Sequence, residues 1–385
     1  MTITELSTAA RQMLEQEILP FWLNRMQDPR GGFYGRIDGN NILHPDAPKG
    51  AILCARILWA FSAAYRVLGK EEYLLAATRA KRALLDDFFD AEQGGVFWSL
   101  NADGTPLDTK KQIYAIGFAI YGLSEYARAT GDEEARIHAV KLFFDIENHS
   151  FDTAKNGYFE AFTREWDEIA DMRLSDKDAN ERKTMNTHLH ILEPYTNLYR
   201  VWPDARLRAA IQNLVDIFLT KILDPETCHL QLFFNDDWQS MVAGSSYGHD
   251  IEASWLIHEA ALVLDDGALL NRTEAFVKEI GRRAEDGSWM EDIFVSPRQW
   301  WEYAETVVGF IDIWQLTGRD HALATVMKTW SFINDYLVDR EEGEWFWTVN
   351  TDHTPLRTED KAGFWKCPYH NSRMCLEIIE RVSKA

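Results

Sequence analysis

Cysteine is scarce. Cys54, Cys228, Cys367 and Cys375 are the four in 385 residues, and no two form a CxxC pair. That scatter argues against a disulfide framework and fits reduced thiols in the cytosol. Positive charge is also short: 40 Lys and Arg stand against 61 Asp and Glu, a net charge of −21. Such a chain repels a nucleic-acid backbone or an anionic membrane, so neither is expected as a partner. No apolar run reads as long enough to span a bilayer. From Met1 to Leu23, apolar residues at helical spacing are broken by Glu5, Arg11, Glu15 and Glu17. That predicts an amphipathic helix and not a signal peptide. A Gly-rich phosphate loop, a Ser-His-Asp pattern and a reactive-cysteine context are all missing.

Aromatic residues, by contrast, are plentiful: 15 Trp, 13 Tyr and 21 Phe in a chain that is 46% apolar. They suit a bulky core, and Trp and Tyr also serve as stacking faces for sugars. Several fall in a recurring Gly-aromatic punctuation. Its copies are Gly31-Gly32-Phe33-Tyr34, Gly94-Gly95-Val96-Phe97-Trp98, Asn156-Gly157-Tyr158-Phe159, His229-Leu230-Gln231-Leu232-Phe233, Asp286-Gly287-Ser288-Trp289 and Glu342-Gly343-Glu344-Trp345-Phe346. They divide the chain into six units of about 60 residues, and a fixed period takes precedence over local readings.

Each unit has room for two helices. Lys111 to Arg128 and Glu134 to Asn148 read as one pair, and Gln299 to Leu316 as half of another. Thr130-Gly131 and Thr317-Gly318 act as helix stops. Six helical hairpins without a polar capping unit predict a closed all-α (α/α)6 barrel, with short β-hairpin or loop insertions at one rim, rather than an open solenoid. No domain boundary is visible, so residues 1–385 read as one catalytic domain. The long polar loop Asp167 to Lys183 reads as a surface flap beside a cleft.

The chemistry-bearing residues fall where the second helix of each unit starts, which is one rim of such a barrel. Arg56 interrupts the apolar run from Ala51 to Trp59, so it is either paired in the core or faces a polar cavity. Tyr114 opens a helix. Asn186 and His190 share a helix face, as do His249 and Glu252, and Trp301 and Glu305. Trp365 and His370 lie either side of Pro368, which is placed as the first residue of the last helix. His370 then sits in the first helical turn, where the helix dipole favours neutral, proton-accepting imidazole. His188, His258, His321 and His353 are assigned to structure or surface. The set His190, His249, Glu252 and His370 contains metal-ligand types, but HxxxH and HExxH spacings are absent, so no metal is expected. Glu252 and Glu305 suit a glycosidase carboxylate pair or groups that orient the histidines; the second reading is preferred.

Three stretches carry a resemblance: Asn186-Thr187-His188-Leu189-His190-Ile191-Leu192-Glu193, Tyr247-Gly248-His249-Asp250-Ile251-Glu252-Ala253-Ser254-Trp255 and Trp365-Lys366-Cys367-Pro368-Tyr369-His370. Together they resemble the cellobiose 2-epimerases of the N-acylglucosamine 2-epimerase superfamily, over essentially the whole chain. The resemblance implies an (α/α)6 barrel. It also implies interconversion of glucose and mannose at the reducing end of a β-1,4-linked disaccharide, without an external cofactor. It makes His249 and His370 the acid–base pair and gives His190 a part in ring opening. Arg56, Tyr114 and Asn186 would hold the reacting sugar, Trp301 and Trp365 would be sugar platforms, and Glu252 and Glu305 supporting groups. Two bases suit the chemistry, because a planar enediolate at C2 must be deprotonated on one face and reprotonated on the other. Neighbouring readings are an aldose–ketose isomerase, an N-acylglucosamine 2-epimerase, an oligosaccharide hydrolase or lyase, and a non-catalytic sugar-binding module. The expected partner is a small-molecule disaccharide, and the expected state a cytoplasmic monomer or weak homo-oligomer.

Overall fold

A computed structural model describes residues 1–285 and 299–383. Among them are twelve helices in six pairs. The first, α1, runs Ile3–Met13 and continues through a π-helical stretch, Leu14–Ile18, into Leu19–Arg25. Then come α2 (Ala51–Leu68), α3 (Glu71–Ala83, extended by Leu84–Phe88), α4 (Ile113–Thr130) and α5 (Glu133–His149). Next are α6 (Met185–Tyr199), α7 (Ala205–Ile217, extended by Phe218–Ile222), α8 (Tyr247–Leu264) and α9 (Gly267–Glu285). The last three are α10 (Trp300–Thr317), α11 (Asp320–Phe332, extended by Ile333–Leu337) and α12 (His370–Ser383).

The even-numbered helices form an inner ring. Each packs on the next in the order α2, α4, α6, α8, α10, α12, and α12 returns to α2. This closes the barrel that the period predicts. The inner helices α2, α4, α8 and α10 are apolar on nearly every face because they touch the ring inside and an outer helix behind. In α2, every residue from Ala51 to Ala64 is buried. The odd-numbered helices are one-sided, with charged residues outward. Glycines 69, 131 and 318 end α2, α4 and α10 in left-handed conformation at φ of 70°, 76° and 67°, as helix stops require.

Two sequence expectations change. By length and composition Ala51–Leu68 is apolar enough to cross a membrane, contrary to the reading that no such run exists. Its apolar surface is instead taken up by the ring and by α3. Pro368 does not begin the last helix, which starts at His370. Lys366 is drawn to Glu344 at 2.6 Å and Gly363 N–H bonds the Lys366 carbonyl at 2.9 Å, which bends the chain just before α12.

The Gly-aromatic punctuations are tight hairpins joining outer to inner helices. Bridges pair Gln27 with Phe33, Phe89 with Val96, Phe151 with Tyr158, Leu223 with Leu230 and Val338 with Trp345. The copy at Asp286–Trp289 lies outside the described residues. Each described turn opens on an aspartate (Asp28, Asp90, Asp152, Asp224 or Asp339) whose carbonyl accepts an N–H across the loop. Gly94 and Gly95 have φ of 79° and 67°, a backbone other residues enter at a cost. Four of these aspartates are clasped by buried or half-buried lysines. The pairs are Lys49–Asp28 at 2.7 Å, Lys111–Asp90 at 2.8 Å, Lys183–Asp152 at 2.7 Å and Lys361–Asp339 at 2.5 Å. Lys49, Lys111 and Lys183 belong to two-residue strands immediately before α2, α4 and α6. The clasps therefore fix where those inner helices begin.

Candidate active site

His190, His249 and His370 stand in the first or second turn of α6, α8 and α12 at one rim. Trp301, from the start of α10, lies between two of them. Its ring is 4.8 Å from that of His249 and 5.7 Å from that of His370. His190 packs against Tyr114 at 4.9 Å and Phe118 at 5.0 Å, both from α4. Trp365 closes the side next to Tyr114, at 6.0 Å, and is backed by Trp98 and Phe364. The structure thus brings together the sequence-selected residues of all six inner-helix entries.

Each histidine has a partner for Nδ1. For His190 it is Glu193 Oε2 at 2.9 Å, and for His370 it is Glu305 Oε1 at 2.7 Å. A carboxylate can only accept here, so Nδ1 carries the proton and Nε2 keeps a free lone pair. For His249 the partner is Ser246 Oγ at 2.7 Å. Burial pushes His249 down to about 3, helped by the nearby His190. His370 lies well below the usual histidine range, first through burial and then through Arg56, Arg373 and His190. Burial also lowers His190, against the pull of Glu193. All three rings therefore favour the proton-accepting form. For His370 the direction agrees with the dipole argument, but burial and the two arginines are the principal causes.

Arg56 is buried beside Tyr114 and has no carboxylate partner among the described residues. Its guanidinium stacks on Phe118 at 4.1 Å and Tyr369 at 4.8 Å, and donates to Tyr114 Oη at 2.8 Å. Its Nε and the Oδ1 of Asn186 are buried without a protein partner. Unpaired polar atoms are costly in a core, and Asn186 lines a cavity. This cavity of about 270 Å³ adjoins His249. Asn186, Ser246 and His249 form one wall, and the flap residues Met172, Arg173 and Asp178 another. The Asp167–Lys183 loop is thus beside a cleft, held by Gln112 Nε2 on Met172 O at 3.0 Å.

Glu252 and Glu305 are fully buried behind the histidines, the arrangement of orienting groups. Ligand atoms of Glu252, Glu305 and His370 lie within 4.8 Å of one another. Arg373 already donates to both carboxylates, at 2.8 and 2.7 Å, so the trio has a cation of its own. Burial, and then Glu305, raise Glu252 well above the carboxylate range. Sequence reading missed Glu193, Tyr369 and Arg373. The signal was present in spacing, since Glu193 follows His190 and Arg373 follows His370 by three residues on a helix. The histidines set aside are engaged elsewhere. His188 Nε2 accepts the Tyr158 N–H at 2.9 Å, and His258 Nδ1 bonds Asp312 at 2.8 Å.

Comparison with known proteins agrees with this arrangement. The profile of the N-acylglucosamine 2-epimerase (GlcNAc 2-epimerase) family matches residues 32–373. A cellobiose 2-epimerase from Bacteroides fragilis is 60% identical over 378 residues, spanning 95% of this chain and 96% of that protein. One from Ruminococcus albus is 40% identical over 385 residues, spanning 96% and 97%. The solved structure of a cellobiose 2-epimerase from Bacillus thermoamylovorans B4167 superposes with a TM-score of 0.91 at 41% identity, covering 98% of this chain and 100% of that one. Matched along nearly its full length in sequence and in fold, the chain belongs to the N-acylglucosamine 2-epimerase family.

Proposed function

We propose that the chain epimerises C2 of the reducing-end sugar of β-1,4-linked disaccharides such as cellobiose and lactose, exchanging the glucose and mannose configurations. The observation that carries this reading is the pair of imidazoles, His249 and His370, flanking the single indole of Trp301. A ring-opened sugar resting against that indole would lie within reach of both imidazoles. The near relatives that bear the name cellobiose 2-epimerase supply the substrate class.

The reaction begins with transfer of the anomeric hydroxyl proton to a base, His190 in this reading, and protonation of the ring oxygen, giving the open aldehyde. One of His249 and His370 then takes the C2 proton on Nε2, and the electron pair moves into an enediolate. Arg56 and Tyr114 face its oxygen; one such preorganised donor is worth roughly 3 kcal/mol. The other histidine, as imidazolium, returns a proton to the opposite face, and the ring closes. After one turnover the two histidines have exchanged protonation states, and exchange with solvent resets them. Glu305 stabilises the imidazolium of His370. Asn186 orients the reacting sugar, and Trp301 and Trp365 stack on its rings. Glu252 supports the pair from behind.

One catalytic domain over residues 1–385, acting as a monomer or weak homo-oligomer in the cytoplasm, completes the reading. The four buried free thiols suit that location. The test is epimerisation in deuterated water. Solvent deuterium is expected at C2 of the epimer, and His249→Ala or His370→Ala should lower turnover by about two orders of magnitude. An epimer that keeps its original C2 hydrogen would overturn the two-base scheme.

A further inference from the structure

The carboxylates behind His190 and His370 are not independent of each other. Arg373 lies on α12 one turn beyond His370 and is fully buried. Its Nη1 donates to Glu193, the partner of His190. Its Nη2 donates to Glu305, the partner of His370, at 2.7 Å, and to Glu252 at 2.8 Å. The Tyr369 hydroxyl donates to Glu193 as well. The guanidinium plane is held between the rings of Trp255 at 4.7 Å and Tyr369 at 4.3 Å. A planar fork with several donors can serve carboxylates on three different helices at once; an ammonium cannot.

We propose that Arg373 is a positioning residue that couples the protonation of His190 to that of His370, so that the two share one mobile proton. The charged groups around them are three carboxylates, Glu193 from α6, Glu252 from α8 and Glu305 from α10. Against these stand two guanidiniums, Arg56 from α2 and Arg373 from α12. The helix α4 contributes the Tyr114 and Tyr121 hydroxyls, Tyr369 just before α12 adds its own, and burial keeps His249 on α8 neutral at rest. Three negative charges against two positive leave room for one further proton in this buried cluster, and a second requires a compensating negative charge. At rest that proton sits on Glu252, which burial and Glu305 hold well above the carboxylate range. During the reaction it moves to a histidine, and the additional proton taken from C2 is balanced by the negative charge of the enediolate. An imidazolium at His190 draws Glu193 toward itself. Arg373, less compensated, then bears harder on Glu305 and opposes a proton on His370. Arg373 and His190 both lower His370 while Glu193 raises it, in the sense this requires.

That ring opening and C2 transfer draw on a shared proton rests on the function proposed above; the coupling itself does not. The test therefore uses the full-length chain without substrate, labelled with 15N-histidine at neutral pH. Its readout is the downfield Nδ1–H resonances of His190 and His370. Glu193→Gln is expected to shift or abolish the His190 resonance and also to shift that of His370, which Glu193 does not touch. Arg373→Lys is expected to shift both, and in that background Glu193→Gln should no longer move His370. Should the lysine variant fail to fold, the reciprocal measurement decides, with Glu305→Gln expected to move the His190 resonance. A His370 resonance unmoved by Glu193→Gln, or moved equally with and without Arg373, would overturn the coupling. Linked shifts in a chain that fails to epimerise cellobiose would sustain the coupling and overturn the functional reading.

Discussion

Replacing Glu305 by glutamine probes the electrostatics of the site without changing its shape. The carboxylate accepts from His370 Nδ1 at 2.7 Å, from Arg373 Nη2 at 2.7 Å and from Trp255 Nε1 at 3.0 Å. A glutamine oxygen can keep the contact with His370, but the bond is no longer charge-assisted. The difference between a charged and a neutral partner is about 1–2 kcal/mol. One decade in an equilibrium or rate is about 1.36 kcal/mol. The imidazolium of His370 should then become harder to form, and kcat should fall roughly fivefold to thirtyfold. KM should change little, because Glu305 is fully buried behind His370. The new amide also points its donors at the Trp255 N–H or at Arg373, which leaves a buried donor unmatched and costs about 1–3 kcal/mol of stability. Initial rates on cellobiose, with product separation, give kcat and KM, and denaturant unfolding gives stability. A folded variant whose kcat stays within about twofold of the parent would refute the reasoning that this carboxylate stabilises the imidazolium.

Three further outcomes are expected. Trp365→Ala should reduce turnover of cellobiose or lactose far more than of free glucose, since a platform beside the reacting ring serves a second ring; equal losses on both would refute the disaccharide assignment. Lys183→Met should destabilise the fold by about 3–5 kcal/mol, because it strands the Asp152 carboxylate that Lys183 holds at 2.7 Å; urea titration checks it, and a change under about 1 kcal/mol would show the clasp to be dispensable. Burial holds His188 down to about 4 and His249 to about 3. Their unfolded forms take up protons near pH 6.5, so stability should fall as pH drops from about 6.5 toward 4, by up to roughly 1.4 kcal/mol per pH unit for each histidine; flat stability across that window would contradict their burial as neutral rings.

Much of the site was legible because it rests on local spacing. His190 with Asn186, His249 with Glu252, and Trp301 with Glu305 each follow the helical interval, and their helices all start at the same rim. Arg56 was legible as a choice between pairing and exposure. Only the packed structure decides it, through the rings of Phe118 and Tyr369 beneath the guanidinium and the absence of a carboxylate beside it among the described residues. Glu193 and Arg373 passed unnoticed because each looks like an ordinary polar residue on its own helix. They become partners only when α6 and α12 face each other across the ring.

The sequence by itself determined the six-fold period, the helical pairs, their glycine stops and the rim that carries the histidines, because these follow from turn chemistry and from periodicity within about twenty residues. It did not determine that the apolar stretch Ala51–Leu68 belongs inside a ring, since a barrel core and a bilayer ask for the same composition. Nor did it show that Lys49, Lys111, Lys183 and Lys361 clasp the hairpin aspartates, because those pairs lie about twenty to thirty residues apart with no helical or strand interval between them. Tertiary structure decided these, together with the depressed histidines and the Arg373 hub. Burial, and charges brought together from five inner helices, are properties of the closed ring and of no single segment.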